Sequence, residues 1–332
     1  MTKRELVLEA LSHRNQGKVP QAINFTGDAI EKFADSLLAD YPDTQVQQDL
    51  QAGILSKAQA VSLSIGNHLL HVYPPWWNWH ITSDAFSAVD PPQYLPDTRG
   101  YGSYEDFFAQ VAHIREKYNV YIVATIYGSH WEKAYFARGI ENFLRDLAGN
   151  TQWAQSLLDF IIRKNLVMLE NILTATEIDA VLLGSDWGTQ IDLIMSPKCF
   201  RSMIKPGEQM EYDLVKKYGK QVFIHSCGNI VRILNDLVEM GVDCLNPIQS
   251  ECMDLAFLKK EYGSSLSFYG GISTQQTLPY GTPDEVQDET RRVVDLMSRD
   301  GGYLISPSQE IQHDVCYDNI KSLINTAQRY WL

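Results

Sequence analysis

Short apolar runs rich in β-branched and aromatic residues alternate along this chain with longer stretches of helical periodicity. The apolar runs predict strands at 21–26 (QAINFT), 68–73 (HLLHVY), 119–127 (NVYIVATIY), 180–185 (AVLLGS), 221–226 (QVFIHS), 242–247 (VDCLNP), 266–270 (LSFYG) and 303–307 (YLISP). Helix signals fall between most of them. Ser196 followed by Pro197 predicts one helix start, Gly241 closes a second helix, and Thr282 followed by Pro283 opens a third. Near-continuous apolar strands separated by helices imply a parallel sheet covered by helices. Eight such units in 332 residues fit a (β/α)8 TIM-type α/β barrel, a single domain over 1–332. An open doubly wound sheet is the alternative, but the chain has neither G-x-G-x-x-G nor G-x-x-x-x-G-K-[ST]. Residues 27–67 and 74–118 are long N-terminal insertions, helical or Pro/Trp-rich, expected over one end of the barrel.

Composition narrows the setting. Five cysteines, an odd and scattered set, argue against a disulfide framework and for a reducing compartment. Charges interrupt every apolar run of the first twenty residues, and no run of about 18 apolar residues occurs anywhere. A cytoplasmic protein with no signal peptide and no membrane span is expected. The net charge of −13 disfavours nucleic acid, whose phosphates require a basic face.

A barrel of this kind keeps its chemistry at the C-terminal ends of its strands. Those ends carry Asn24, Thr26 and Asp28; Tyr127 and His130; Asp186, Trp187 and Gln190; His225 and Cys227; Asn246 and Gln249; Tyr269, Gly270 and Gly271; and Ser306, Ser308 and Gln309. His225 and Cys227 stand two apart at a strand end and so face the same way. Imidazole with thiolate suits Zn2+ better than Mg2+ or Ca2+. A hydrogen-bonded His beside a quiet Cys would give the same spacing. Asp186 lies in a turn whose Gly184 and Gly188 leave room for a ligand; an N-cap or turn carboxylate is the simpler alternative. Gly270 and Gly271 fit either close approach of a ligand or a tight packing turn. The three Trp of YPPWWNWH (73–80) read as exposed anchors of an interface or as a wall for a flat ligand.

With "GSDWGTQ", "FIHSCGNI", "GVDCLNPIQ", "FYGGISTQQTLPYGTPDEV" and "GGYLISPSQEIQHDVCYDNI" in this order, the chain resembles the uroporphyrinogen decarboxylase superfamily, nearest its zinc-dependent corrinoid methyltransferase branch. The resemblance covers residues from about 180 to 325 well and the N-terminal half loosely. It implies a (β/α)8 barrel with a mouth for a tetrapyrrole. It implies methyl transfer with Zn2+ held by His225 and Cys227 and a corrinoid supplied by a partner protein, serving a small methyl donor or acceptor. The branch completes its zinc site with a Cys just past the eighth strand. The matching position here is near Ser308 and Gln309, so Gln309, Glu310 or Cys316 is expected as third ligand. Asp186, His130 and Tyr127 are the expected catalytic residues. Asn24, Trp187, Gln190, Asn246, Gln249, Gly270 and Gly271 are the expected substrate contacts. Two alternatives stay open: uroporphyrinogen decarboxylation and non-catalytic tetrapyrrole binding. The decarboxylases hold substrate carboxylates on an Arg-rich N-terminal motif and pyrrole N–H groups on an Asp after the second strand. This chain has no Arg between residues 15 and 98 and no Asp between 61 and 83. Monomer and homodimer are both open.

Overall fold

Seven of the eight predicted runs form regular strands: β1 (Leu69–Val72), β2 (Tyr121–Ile126), β3 (Ala180–Gly184), β4 (Gln221–His225), β5 (Cys244–Ile248), β6 (Ser267–Ile272) and β7 (Tyr303–Pro307). The computed structural model describes residues 1–14, 17–77 and 102–330. Trp79 and most of the Pro/Trp-rich insertion lie outside the described residues. Strand order in the sheet follows chain order. The fold is α/β of the (β/α)8 TIM type, with the first strand position, 21–26, reduced. Among the described residues no helix is long and apolar enough to cross a membrane.

The chain divides into two compact units: Met1–His71 with Ala112–Val123 and Asp243–Leu332, and Val72–Val111 with Ala124–Val242. In the first unit β5, β6 and β7 pair in parallel. The expected strand 21–26 forms two isolated parallel bridges among the described residues, Gln21 to Ile305 of β7 and Phe25 to Ile311 beyond it. Its other edge is satisfied largely by side chains. Asn67 accepts from Ile23 N at 3.0 Å and donates to Ile23 O at 2.8 Å, so one amide stands in for a strand neighbour. His68 Nδ1 accepts from Gln21 N at 3.2 Å. A buried backbone edge must find such partners, and here two side chains and one backbone bond, His68 N to Gln21 O at 3.0 Å, provide them instead of a ladder. The insertion 27–67 is helical as expected, as Gly27–Asp40, Thr44–Gln51 and Lys57–Ser64.

The second unit is organised around the parallel pair β3 and β4, in register from Ala180 opposite Gln221 to Gly184 opposite His225. Every residue of β3 is buried. Each Leu or Val so buried contributes about 1.5–3 kcal/mol. Helices Thr151–Leu173 and Lys205–Lys217 cover this pair, the latter turning Tyr212 and Val215 inward. The caps are where the sequence places them. Ser196 Oγ accepts from Cys199 N, and Thr282 with Glu285 forms a capping box. Gly241 follows its helix at φ 82°. The single helix expected after Ser196 contains a π-helical turn, Phe200–Ile204, just before Pro206. Proline lacks the N–H that an α-helix would use there, and its ring crowds the carbonyl four residues earlier.

The Trp-rich loop departs from expectation at Trp77. Its ring is 1% exposed, and its Nε1 donates to Asn165 Oδ1 at 2.6 Å. This Trp is therefore a core residue, because its one polar atom finds a buried acceptor.

Two predictions follow from the closure of the 21–26 segment. Asn67→Leu strands both polar groups of Ile23 and lowers unfolding free energy by about 2–4 kcal/mol in urea titration, with no change in m-value beyond error. Burial, then the charges of Lys18 and Lys3, depress His68 to about 3 from its ordinary 6.5. The unfolded chain therefore binds a proton that the native chain refuses across this window. Stability falls as pH drops from 6.5 towards 3, and His68→Gln makes that decline shallower.

Candidate functional site

The C-terminal ends of β3 and β4 are tied together one residue at a time. Ser185 N donates to His225 O at 2.8 Å, extending the ladder past β3. Asp186 Oδ1 accepts from Cys227 N at 2.8 Å. Trp187 N donates to Ser226 Oγ at 3.0 Å. Beyond them Asn229 N donates to Thr189 O at 2.7 Å. Trp187 anchors this loop: it is fully buried and meets Phe200 edge-on at 5.3 Å. Trp131 Nε1 fixes the backbone from behind by donating to Asp186 O at 2.9 Å.

The two loops touch backbone to backbone. A Cβ on Gly188 would lie 2.6 Å from Cys227 O, and one on Gly228, at φ 83°, would lie 2.5 Å from Thr189 O. The space at Gly184 is taken by Tyr127, whose Cδ1 would be 2.8 Å from an added Cβ. The glycines flanking Asp186 thus make room for protein, where the sequence suggested room for a ligand. The same holds for Gly270, packed on Ile248, and Gly271, packed on Val293 and Leu255.

The lacing brings three donors together. Ligand atoms of Asp186, His225 and Cys227 all lie within 4.8 Å of one another. His225 Nε2 is 3.5 Å from Cys227 Sγ and 3.9 Å from Asp186 Oδ1. Tetrahedral zinc with bonds of about 2.3 Å to sulfur and about 2.0–2.1 Å to nitrogen sets those two donors roughly 3.5 Å apart. The thiolate, imidazole and carboxylate set therefore fits Zn2+, with Asp186 supplying the third donor. Asp186 is 40% exposed where His225 is 10% exposed, so the cluster opens on the carboxylate side. Tyr127, about half exposed, stands edge-on to the His225 ring at 5.8 Å.

Glu132 is the residue that sequence reading missed. Its Oε2 accepts from Gly128 N at 2.9 Å. Burial, then the charge of Asp186, raises its carboxyl above the ordinary range. It sits on a helix whose charges resemble a solvated face, and only the fold brings it to Asp186.

The remaining expected residues make contacts of their own. His130 is buried, with Nδ1 3.3 Å from Glu208 Oε1. Gln190 is exposed and Trp187 is in the core. In the other unit, Tyr269 OH accepts from Asn24 Nδ2 at 2.8 Å and lies 3.2 Å from Nε2 of His71, a residue not singled out from the sequence. Asn246 is half-buried on β5, and Gln249 is buried just beyond it. Gln309 Oε1 accepts from Glu310 N at 3.0 Å, burial raises Glu310, and Cys316 is an exposed N-cap. Among the described residues, neither Glu310 nor Cys316 belongs to a three-donor group. Burial pushes the thiols of Cys244 and Cys252 up, the latter to about 11 with help from Glu251.

Known proteins were compared with this chain. Over 156 residues it is 22% identical to a methylated-thiol–coenzyme M methyltransferase of Methanosarcina mazei, covering 47% of this chain and 40% of the relative. Over 143 residues it is 26% identical to a methylcobamide:CoM methyltransferase of Methanosarcina barkeri, covering 42% and 38%. The chain thus matches about two-fifths of the length of these curated relatives. The solved structure of a methyltransferase from Methanosarcina mazei superposes with a TM-score of 0.72 at 19% identity, over 99% of this chain and 98% of that one, which establishes the fold. The family model for uroporphyrinogen decarboxylase (URO-D) matches residues 78–330. That match spans more than half of the sequence, and the chain belongs to the uroporphyrinogen decarboxylase (URO-D) family.

Proposed function

We propose that the chain, folded as one barrel domain over 1–332, is a methyltransferase that uses Zn2+ and a corrinoid carried by a partner protein. The observation that carries this reading is the convergence of Asp186, His225 and Cys227 within 4.8 Å. The two relatives, both named as methyltransferases, support methyl transfer as the reaction class. Zinc bound here would act as a Lewis acid, lowering the pKa of a substrate thiol or polarising a methyl-donor oxygen.

The chain's own residues divide the remaining work. His225 presents Nε2 and Cys227 presents Sγ from one face of the strand end. Asp186 is oriented by the hydrogen bond from Cys227 N to Oδ1, which leaves lone pairs of the carboxylate for the metal or for a substrate proton. Glu132, pushed towards its protonated form by burial and by Asp186, can hold a proton beside the reacting group. Tyr127 offers an exposed aromatic edge next to His225 for substrate contact. A reducing, cytoplasmic setting keeps Cys227 available as a thiolate donor.

Decarboxylation of a porphyrinogen fits less well, because no Arg between residues 15 and 98 is present to hold its carboxylates.

Metal analysis and turnover test the reading together. His225→Ala and Cys227→Ser each lower bound zinc by about one equivalent per chain relative to wild type. With free methylcobalamin as donor and coenzyme M as acceptor, both abolish transfer, and Asp186→Asn slows it by about 10–100-fold. Unchanged zinc in both variants would refute the assignment of the site. Full zinc loss without any methyl transfer by wild type would keep the site and refute the reaction.

A further inference from the structure

A second group of donors lies in the same unit and is fully enclosed. His130 is 1% exposed, and Glu208 and Glu211 are 0% exposed. Their ligand atoms lie within 4.8 Å of one another. By strict alignment neither ring nitrogen of His130 nor Oε2 of Glu211 makes a hydrogen bond among the described residues, although, against burial, Glu208 and the Ile204 backbone are close enough to raise His130. His130 Nδ1 is 3.3 Å from Glu208 Oε1, close enough for an ion pair but not aligned as a hydrogen bond. Buried polar atoms are usually paired, and three unpaired ones in one cluster call for an explanation.

The surroundings orient these groups. Glu208 Oε2 accepts from Tyr212 OH at 2.9 Å, and its Oε1 from Ser185 Oγ at 3.4 Å. Glu211 Oε1 accepts from Asn165 Nδ2 at 2.9 Å, with Asn165 fixed in turn by Trp77. The His130 ring lies against bare helix at Gly207, where a Cβ would be 2.6 Å from Nε2. That leaves Nδ1 towards the carboxylates. Glu211 thus has one oxygen held and Oε2 open, whereas both oxygens of Glu208 already accept from neutral hydroxyls; neutral donors of this kind are the usual support of a metal ligand.

The positive charge inside the cluster is that of His130, which, against burial, Glu208 and then Glu211 hold above its ordinary range. Lys133 is buried too, but its ammonium stands over the rings of Trp77 at 5.0 Å and Trp76 at 5.6 Å. Burial, then the charge of Glu208, raises Glu211 despite His130 and Lys133.

We propose that His130 Nδ1, Glu208 and Glu211 form a second, structural site for a divalent first-row transition metal ion. One imidazole nitrogen with two carboxylates suits Zn2+ or Mn2+. Three protein donors do not by themselves fill a tetrahedral ion's coordination, but the burial of all three bars a substrate from the remaining position, which marks the site as structural. Metal entry displaces the proton from His130 Nδ1, so a divalent charge replaces a single one and uptake releases a proton. The ion would pin the start of helix His130–Arg138 to helix Lys205–Lys217. Through Ser185 it would also steady the loop that carries Asp186. This inference does not rest on the reading of the Asp186, His225 and Cys227 cluster.

Crystals of the wild-type chain soaked in Mn2+, with data collected at the manganese edge, test it without any variant. An anomalous peak bounded by His130 Nδ1, Glu208 and Glu211 is the expected result. In solution, Mn2+ or Zn2+ raises the melting temperature of Cys227→Ser as it does that of wild type, and Glu211→Gln loses most of that rise. The absence of a peak at these three residues would overturn the site, leaving an imidazolium–carboxylate pair. A melting shift kept by Glu211→Gln and lost in Cys227→Ser would overturn it as well. Should Glu211→Gln fail to fold, the anomalous map decides.

Discussion

The hydrogen bond from Cys227 N to Asp186 Oδ1 is the contact on which the proposed site depends. It joins two loops 41 residues apart in sequence. It fixes the carboxylate beside the imidazole and thiol while using a backbone donor that no side-chain change can remove. Everything around it serves the same closure. Trp187 anchors the loop in the core, Ser226 takes the next N–H, and Gly188 and Gly228 let the chains meet without side chains between them. A carboxylate so oriented loses little further freedom on binding a metal, which is what preorganisation contributes to a site.

Much of the fold was legible because strand and helix periods differ and because the caps are strong. Seven apolar runs became strands, and Ser196, Gly241 and Thr282 sit where helix ends require them. The segment 21–26 was legible as an apolar run but not as a reduced strand. Its partner on one edge is the amide of Asn67, 44 residues away, and such a pairing has no local signature. The π-turn before Pro206 was hinted at by the proline alone.

The site divides in a similar way. His225 and Cys227 were readable because two residues apart on a strand share a face. Asp186 was readable as a functional carboxylate at a strand end, but its place beside His225 and Cys227 follows from its contact with Cys227 N. The resemblance directed attention to Gln309, Glu310 and Cys316. Trp77 read as a loop aromatic and proved to be core, because its acceptor Asn165 lies on a helix 88 residues away. Glu132, Glu208 and Glu211 look in sequence like charges on solvated helix faces. The fold buries the last two entirely.

The central claim is that Cys227 contributes a thiolate to a metal shared with His225 and Asp186. Cobalt(II) exchanged for the native metal reports a thiolate ligand directly, through sulfur-to-metal charge-transfer absorption in the near ultraviolet. The His130, Glu208 and Glu211 cluster holds no sulfur and is silent in that band. The account predicts the band in wild type, its retention with shifted visible d–d transitions in Asp186→Asn, and its loss in Cys227→Ser. A wild-type protein that binds cobalt without the band, or a Cys227→Ser variant that keeps it, would contradict the account.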